Sequence, residues 1–116
     1  MGRAEEAAAA VHRAMLACVG PGAAEQLALA QARLAWQETV EAAGLARGGM
    51  TSRLVDVRNG TARVEASEPI LAQELRLRGE ALVDAVNRRM RGRPGATIEL
   101  ARLDILVGRG RSGASL

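Results

Sequence analysis

Three stretches decide the fold: Trp36-Gln37-Glu38-Thr39-Val40-Glu41-Ala42-Ala43-Gly44, Val55-Asp56-Val57-Arg58-Asn59-Gly60-Thr61-Ala62-Arg63-Val64, and Ser67-Glu68-Pro69-Ile70-Leu71-Ala72-Gln73-Glu74-Leu75. Helical spacing in the first gives way to two-residue alternation in the second and returns in the third. The pattern describes a helix, a tight hairpin and a second helix within about forty residues. Asn59-Gly60 suits a type I′ turn, because both residues tolerate the positive φ that its central positions require. A two-residue loop pairs 58 with 61, 57 with 62, 56 with 63, 55 with 64 and 54 with 65. Val55, Val57, Ala62, Val64 and Ala66 then share one face, the buried one. On the opposite face Asp56 meets Arg63, a cross-strand pair contributing ~0.2–1 kcal/mol.

Working outward, residues 3–18 read as an alanine-rich helix stopped by Gly20-Pro21-Gly22. A longer helix is expected over 23–46, with Gly44 or Gly48-Gly49 supplying the stop. Leu29, Ala32, Trp36, Val40 and Ala43 form one stripe, while Leu27, Ala30 and Leu34 lie on another side. A helix apolar on two sides can cover a sheet with one and take the first helix, or another protein, on the other. Ser67 reads as an N-cap with Glu68 and Pro69 in the first turn. The helix it opens carries Leu71, Leu75, Gly79, Leu82, Val86 and Met90 on one stripe and runs to Gly92-Arg93-Pro94-Gly95. An interior glycine costs about 1 kcal/mol relative to alanine, so Gly79 on the buried stripe implies a close backbone approach. Arg76 with Glu80, and Asp84 with Arg88, are expected as exposed i,i+4 pairs. A last strand spans 97–107. Its apolar phase slips between Ile98/Leu100 and Leu103/Ile105/Val107, which calls for a bulge near Ala101-Arg102 or burial on both faces. Residues 109–116 read as a short flexible tail.

The expected order is therefore α–α–β–β–α–β, an α+β fold with helices on one face of a three-stranded sheet. Residues 1–22 serve as helix and breaker and residues 23–108 as the domain. The 116 residues include one Trp and neither Tyr nor Phe, so the core is aliphatic. A single cysteine, Cys18, excludes an internal disulfide and a thiolate zinc cluster. The apolar run at Ala7–Val11 is too short and too charged at its flanks for a signal core or membrane span, which points to the cytoplasm.

All 16 basic residues are arginine, and their distribution is uneven. Residues 1–49 hold four Arg against five acids, net −1; residues 50–116 hold twelve against eight, net +4. Arg88, Arg89, Arg91 and Arg93 cluster at the end of the third helix and in the loop after it, with Arg109 and Arg111 just past the last strand. Guanidinium groups bind phosphates bidentately and release counterions, giving salt-sensitive affinity. The competing explanation is a helix C-terminus that favours cations beside a solvated surface. Gly92-Arg93-Pro94-Gly95 matches the G-x-x-G of K-homology grip loops, but it precedes a strand instead of joining two helices and reads better as a plain helix stop. With no aromatic beyond Trp36, which the helical pattern buries, any nucleic-acid binding is electrostatic, without base stacking. Trp36 exposed as a partner anchor is the other reading. Catalysis has no support: His12 and Cys18 do not share a helical face, no glycine-rich phosphate loop follows a strand, and Asp56, Glu65 and Glu99 balance arginines on strands. No enzyme, cofactor or metal is expected.

Trp36-x3-Val40-x3-Gly44-x-Ala46, Thr51, the Gly60 turn, Val64, Ala72-Gln73-Glu74-Leu75, Val86-Asn87 and Ile105-Leu106-Val107-Gly108 together resemble the DciA family, over roughly residues 25–108. That family was formerly a domain of unknown function, described as predicted RNA-binding or zinc-ribbon-like. The resemblance implies a K-homology-like domain of the second topology. It also implies a role in bacterial DNA replication: binding the replicative DNA helicase, promoting its loading or activity, and contacting DNA near the nucleoid. Leu71 stands where the family often has tryptophan, and the zinc cysteines are absent. A small RNA- or DNA-binding module without a helicase partner is the alternative.

Overall fold

The computed structural model describes residues 22–108; the expected first helix, His12, Cys18 and the 109–116 tail lie outside the described residues. The order is α1 (Ala23–Ala42), β1 (Ser52–Arg58), β2 (Thr61–Ala66), α2 (Pro69–Leu77), α3 (Gly79–Met90) and β3 (Arg102–Val107). The strands form one mixed sheet ordered β1-β2-β3, with β1 antiparallel and β3 parallel to β2. The inner face of this sheet presents Leu54, Ala62, Val64, Ala66 and Ile105 to α1, α2 and α3, which supply Trp36, Val40, Leu71, Leu75, Val86 and Met90 to one core. The outer face is charged: Arg53, Asp56 and Arg58 on β1, Arg63 and Glu65 on β2, Arg102 and Asp104 on β3.

Helix α1 ends at Ala42, short of residue 46, in a Schellman closure. Leu45 donates its N–H to Val40 O at 2.9 Å and Gly44 to Glu41 O at 3.1 Å. Gly44 takes the required positive φ of 74°, and Leu45, the residue past it, is buried in the core. Of the expected stripe, Ala32, Trp36 and Val40 are buried and Leu29 and Ala43 half-buried. On the second apolar side Leu34 is 54% exposed.

The hairpin turns at Asn59 and Gly60, both with positive φ. Its register holds for 58/61, 57/62 and 56/63, then shifts: Leu54 pairs with Val64 and Arg53 with Glu65. The extra residue reverses the expected phase beyond it, so Leu54 is buried where Val55 was expected and Val55 is half-buried. Packing explains the choice: Leu54 brings a larger apolar side chain to the core, and Arg33 of α1 binds the bulged backbone, donating to Leu54 O at 3.1 Å and Val55 O at 2.8 Å.

Four further expectations are corrected. Ser67 does not cap α2; Glu68 occupies the N-cap without a side-chain bond. Ser67 instead joins the start of β1, accepting from Thr51 N–H at 2.9 Å and donating its own N–H to Thr51 O at 2.8 Å. The single long helix is two, interrupted at Arg78, whose φ of −102° and ψ of 15° leave the helical range. Gly79 opens α3 at this break, with open space where a Cβ would stand, so it reflects a helix junction and not close backbone contact. Arg76–Glu80 and Asp84–Arg88 form no ion pairs among the described residues. Arg78 pairs with Glu74 at 3.2 Å, and Arg76 turns to the sheet.

The phase slip before β3 falls at Ala101-Arg102. Gly60 O accepts from both residues, at 2.7 and 3.2 Å, so regular pairing begins at Arg102 and not at residue 97. Leu100 and Ile105 are buried on either side of the slip. Ahead of it, buried Asn87 clamps Leu100 twice: its Nδ2 donates to Leu100 O at 2.9 Å and its Oδ1 accepts from Leu100 N at 2.8 Å. Replacing it orphans two buried backbone groups, each costing ~1–3 kcal/mol. Asn87→Ala is expected to destabilise by about 2–4 kcal/mol in urea unfolding with an unchanged m-value.

Candidate nucleic-acid interface

Helix α3 places the arginine cluster, and its wheel divides it. Arg89 projects toward α1, Arg88 toward solvent and Arg91 toward the 96–99 segment, as their spacing by 100° per residue requires. Arg93, brought back by the turn after α3, reaches α1 as well. Arg93 Nη2 donates to Glu38 Oε1, its Nη1 to Gln31 Oε1 at 3.5 Å, and Arg89 Nε lies 3.7 Å from the same Glu38 oxygen. Gln31 also donates to Pro94 O at 3.3 Å. Of the four clustered arginines, Arg89 thus fastens α3 and Arg93 the Gly92–Gly95 loop to α1, and both are partly withdrawn from solvent.

Arg88 and Arg91 are exposed and have no ion pair among the described residues. They lie in or just past the last turn of α3, where the helix dipole favours cations, and are the members free to meet a phosphate. Arg109 and Arg111 lie outside the described residues. The Gly92-x-x-Gly95 loop follows α3 and does not join two helices; Gly95, at φ 76°, and the bond from Arg93 N–H to Met90 O at 3.0 Å make it a helix stop. The helix–helix junction is at Leu77-Arg78-Gly79, with a single glycine.

The sequence reading placed Arg76 in an exposed pair with Glu80 and assigned Arg33 no role. Each spends its guanidinium on a strand carbonyl: Arg33 on β1, as above, and Arg76 on Ile105 O of β3 at 2.8 Å. The sequence offers no signal for these bonds, because their partners are main-chain oxygens. Asp56 and Glu65 balance arginines on the sheet, with Arg63 3.7 Å from Asp56 and Arg53 3.0 Å from Glu65. Trp36 is fully buried and donates its indole N–H to Ser52 Oγ at 2.9 Å. It is core, not an exposed anchor, and the sheet's outer face carries no aromatic on which a base could stack. Among the described residues no group of three His, Cys, Asp or Glu is placed to hold a metal ion, and no helix is long and apolar enough to cross a membrane.

The hydrogen bond from Arg93, then the charges of Arg93 and Arg89, hold the Glu38 carboxyl below its ordinary pKa of 4.5. A carboxylate with a lowered folded pKa stabilises the fold above its unfolded pKa and loses that contribution as pH falls through the folded value. Thermal unfolding of the native chain is therefore expected to lose a component below about pH 4.5 that Glu38→Gln lacks, with the two Tm curves converging in acid. Curves that stay parallel from neutral pH to acid would remove the ion pair's role. Comparison of the chain with protein-family models, curated proteins and solved structures gave no match.

Proposed function

We propose that this chain is a non-enzymatic accessory domain of DNA replication, which binds the replicative helicase and contacts DNA backbone through Arg88 and Arg91. The observation that carries the nucleic-acid part is the pair of exposed arginines at the end of α3, unpaired among the described residues beside two that are already engaged. The helicase part rests on the DciA resemblance. The residues that carry it have structural work here: Trp36 and Asn87 make buried hydrogen bonds, Gly44 and Gly60 take positive φ, and Val40, Val64, Ala72, Leu75, Val86 and Ile105 fill the core. They argue for a shared fold, and the function follows from the fold only by kinship.

A K-homology-like architecture of the second topology fits this reading. The described order α–β–β–α–α–β, a three-stranded mixed sheet and a junction between two short helices support it. Leu77-Arg78-Gly79 lacks the paired glycines of a grip loop, so the phosphate contacts are assigned to Arg88 and Arg91 instead. A location at the nucleoid in the cytoplasm accompanies the replication role. The second reading, a basic RNA- or DNA-binding module without a helicase partner, draws on the same two arginines.

Two measurements separate the readings. In a salt titration with double-stranded DNA, Arg88→Glu with Arg91→Glu is expected to flatten the slope of log affinity against log salt by about two units. An unchanged slope removes their phosphate role. In a pull-down from a bacterial lysate treated with nuclease, the helicase is expected to remain bound; its loss leaves the simpler binding module.

A further inference from the structure

The two edges of the sheet are treated differently. On β1, side chains of α1 occupy backbone carbonyls: Gln37 Nε2 donates to Ser52 O at 2.8 Å, and Arg33 binds Leu54 O and Val55 O. On β3 the backbone direction follows from two bonds to β2: Arg102 N–H to Gly60 O at 3.2 Å and Gly108 N–H to Ala66 O at 2.7 Å. Even-numbered residues of β3 therefore face β2, and Leu103, Ile105 and Val107 point their N–H and C=O groups away from it. Only Ile105 O among these outward groups is engaged by a side chain among the described residues, by Arg76 Nη2 at 2.8 Å. Below Leu103 the edge closes, because Asn87 holds both backbone groups of Leu100.

Beside the open part lies a groove of about 420 Å³ between β3 and the α2–α3 junction, lined by Arg76, Gly79, Glu80, Arg102, Leu103 and Ile105 among others. Gly79 leaves room for a side chain from outside. Leu106 and Val107 remain 39% and 38% exposed at the end of the strand. Hydrogen-bond character leans toward donors: three outward N–H groups and the guanidinium groups of Arg76 and Arg102 face two free carbonyls and the carboxylates of Glu80 and Asp104. Arg102 has no ion pair among the described residues.

We propose that the 103–107 edge of β3 is a strand-addition site for an extended acidic peptide of a protein partner, with Arg76 as its charge selector. An added strand needs Ile105 O and so releases Arg76, whose guanidinium must then find a new acceptor at the same place. A carboxylate on the peptide satisfies it through a charge-assisted bond stronger than the carbonyl bond it gave up. A neutral or basic peptide offers no such group and leaves the released guanidinium only Glu80, four residues on in the same groove. The backbone of β3 supplies affinity and Arg76 and Arg102 supply selection, as in other sheet-edge recognition. The site is separate from Arg88 and Arg91 and does not depend on which protein donates the strand.

The test uses the full chain and end-capped peptides that alternate valine with glutamate or valine with lysine, followed by amide NMR. The glutamate peptide is expected to shift the Leu103, Ile105 and Val107 amides and slow their hydrogen exchange, while the lysine peptide leaves them unchanged. Arg76→Gln, which keeps a donor for Ile105 O without the charge, is expected to weaken the glutamate peptide about tenfold. Arg76→Glu should reverse the preference to lysine. No shift at about millimolar peptide, shifts confined to Arg88 and Arg91, or equal affinity in the Arg76→Gln chain would each overturn the proposal. The same amides shifting with protein concentration alone would assign the edge to a second copy of this chain instead.

Discussion

Everything in this domain is arranged around one buried indole. Trp36 is the only aromatic side chain in the protein, and it sits at zero exposure between α1 and the sheet. A buried indole N–H must find an acceptor or forfeit the free energy of its lost bond to water, and Ser52 Oγ at the first residue of β1 provides it. That bond fixes where β1 begins relative to α1. Gln37 and Arg33, the next residue and one turn earlier, then reach the Ser52, Leu54 and Val55 carbonyls. The bulge at Val55 follows, since Leu54 must point inward to meet the indole's side of the core while the turn residues keep their own register.

Much of the architecture was legible because it is local. Asn59-Gly60 names its turn, Gly44 its helix end, and the stripes through Trp36 and through Leu71, Leu82, Val86 and Met90 name their buried faces. The parts that were not legible depend on contacts distant in sequence. Nothing near Leu54 announces that Arg33 will hold its carbonyl, so alternation was carried one residue too far. The break at Arg78 was hidden because Leu75, Leu82 and Val86 keep helical phase across it, and Gly79 serves a junction equally well as a tight packing site. Ser67 had the chemistry of a cap, but a neighbouring strand's N–H competed for its hydroxyl.

The candidate interface was legible as composition and not as geometry. Arg88, Arg89, Arg91 and Arg93 are adjacent in sequence, yet consecutive helical residues point in different directions. Which of them remain available depended on Glu38, some fifty residues earlier on another helix (55 from Arg93). Charge density along the chain therefore overcounted the site twofold among the described arginines. The same segregation explains why a cluster can be both structural and available: α3 directs alternate arginines to different neighbours.

The parallel pairing of β2 with β3 also orders events during synthesis. Helix α1, the hairpin and the Trp36–Ser52 bond involve only residues up to Ala66, so they can form as soon as that length of chain is free. The second edge of β2 cannot be satisfied until Arg102–Val107 arrives, after both later helices have been made. Closing that long crossover is the non-local step of the fold, and such steps are slow because chain entropy is lost before contacts repay it. Until then the nascent chain carries an unpaired β2 edge, a state in which a chaperone or a neighbouring chain competes with β3 for the same backbone.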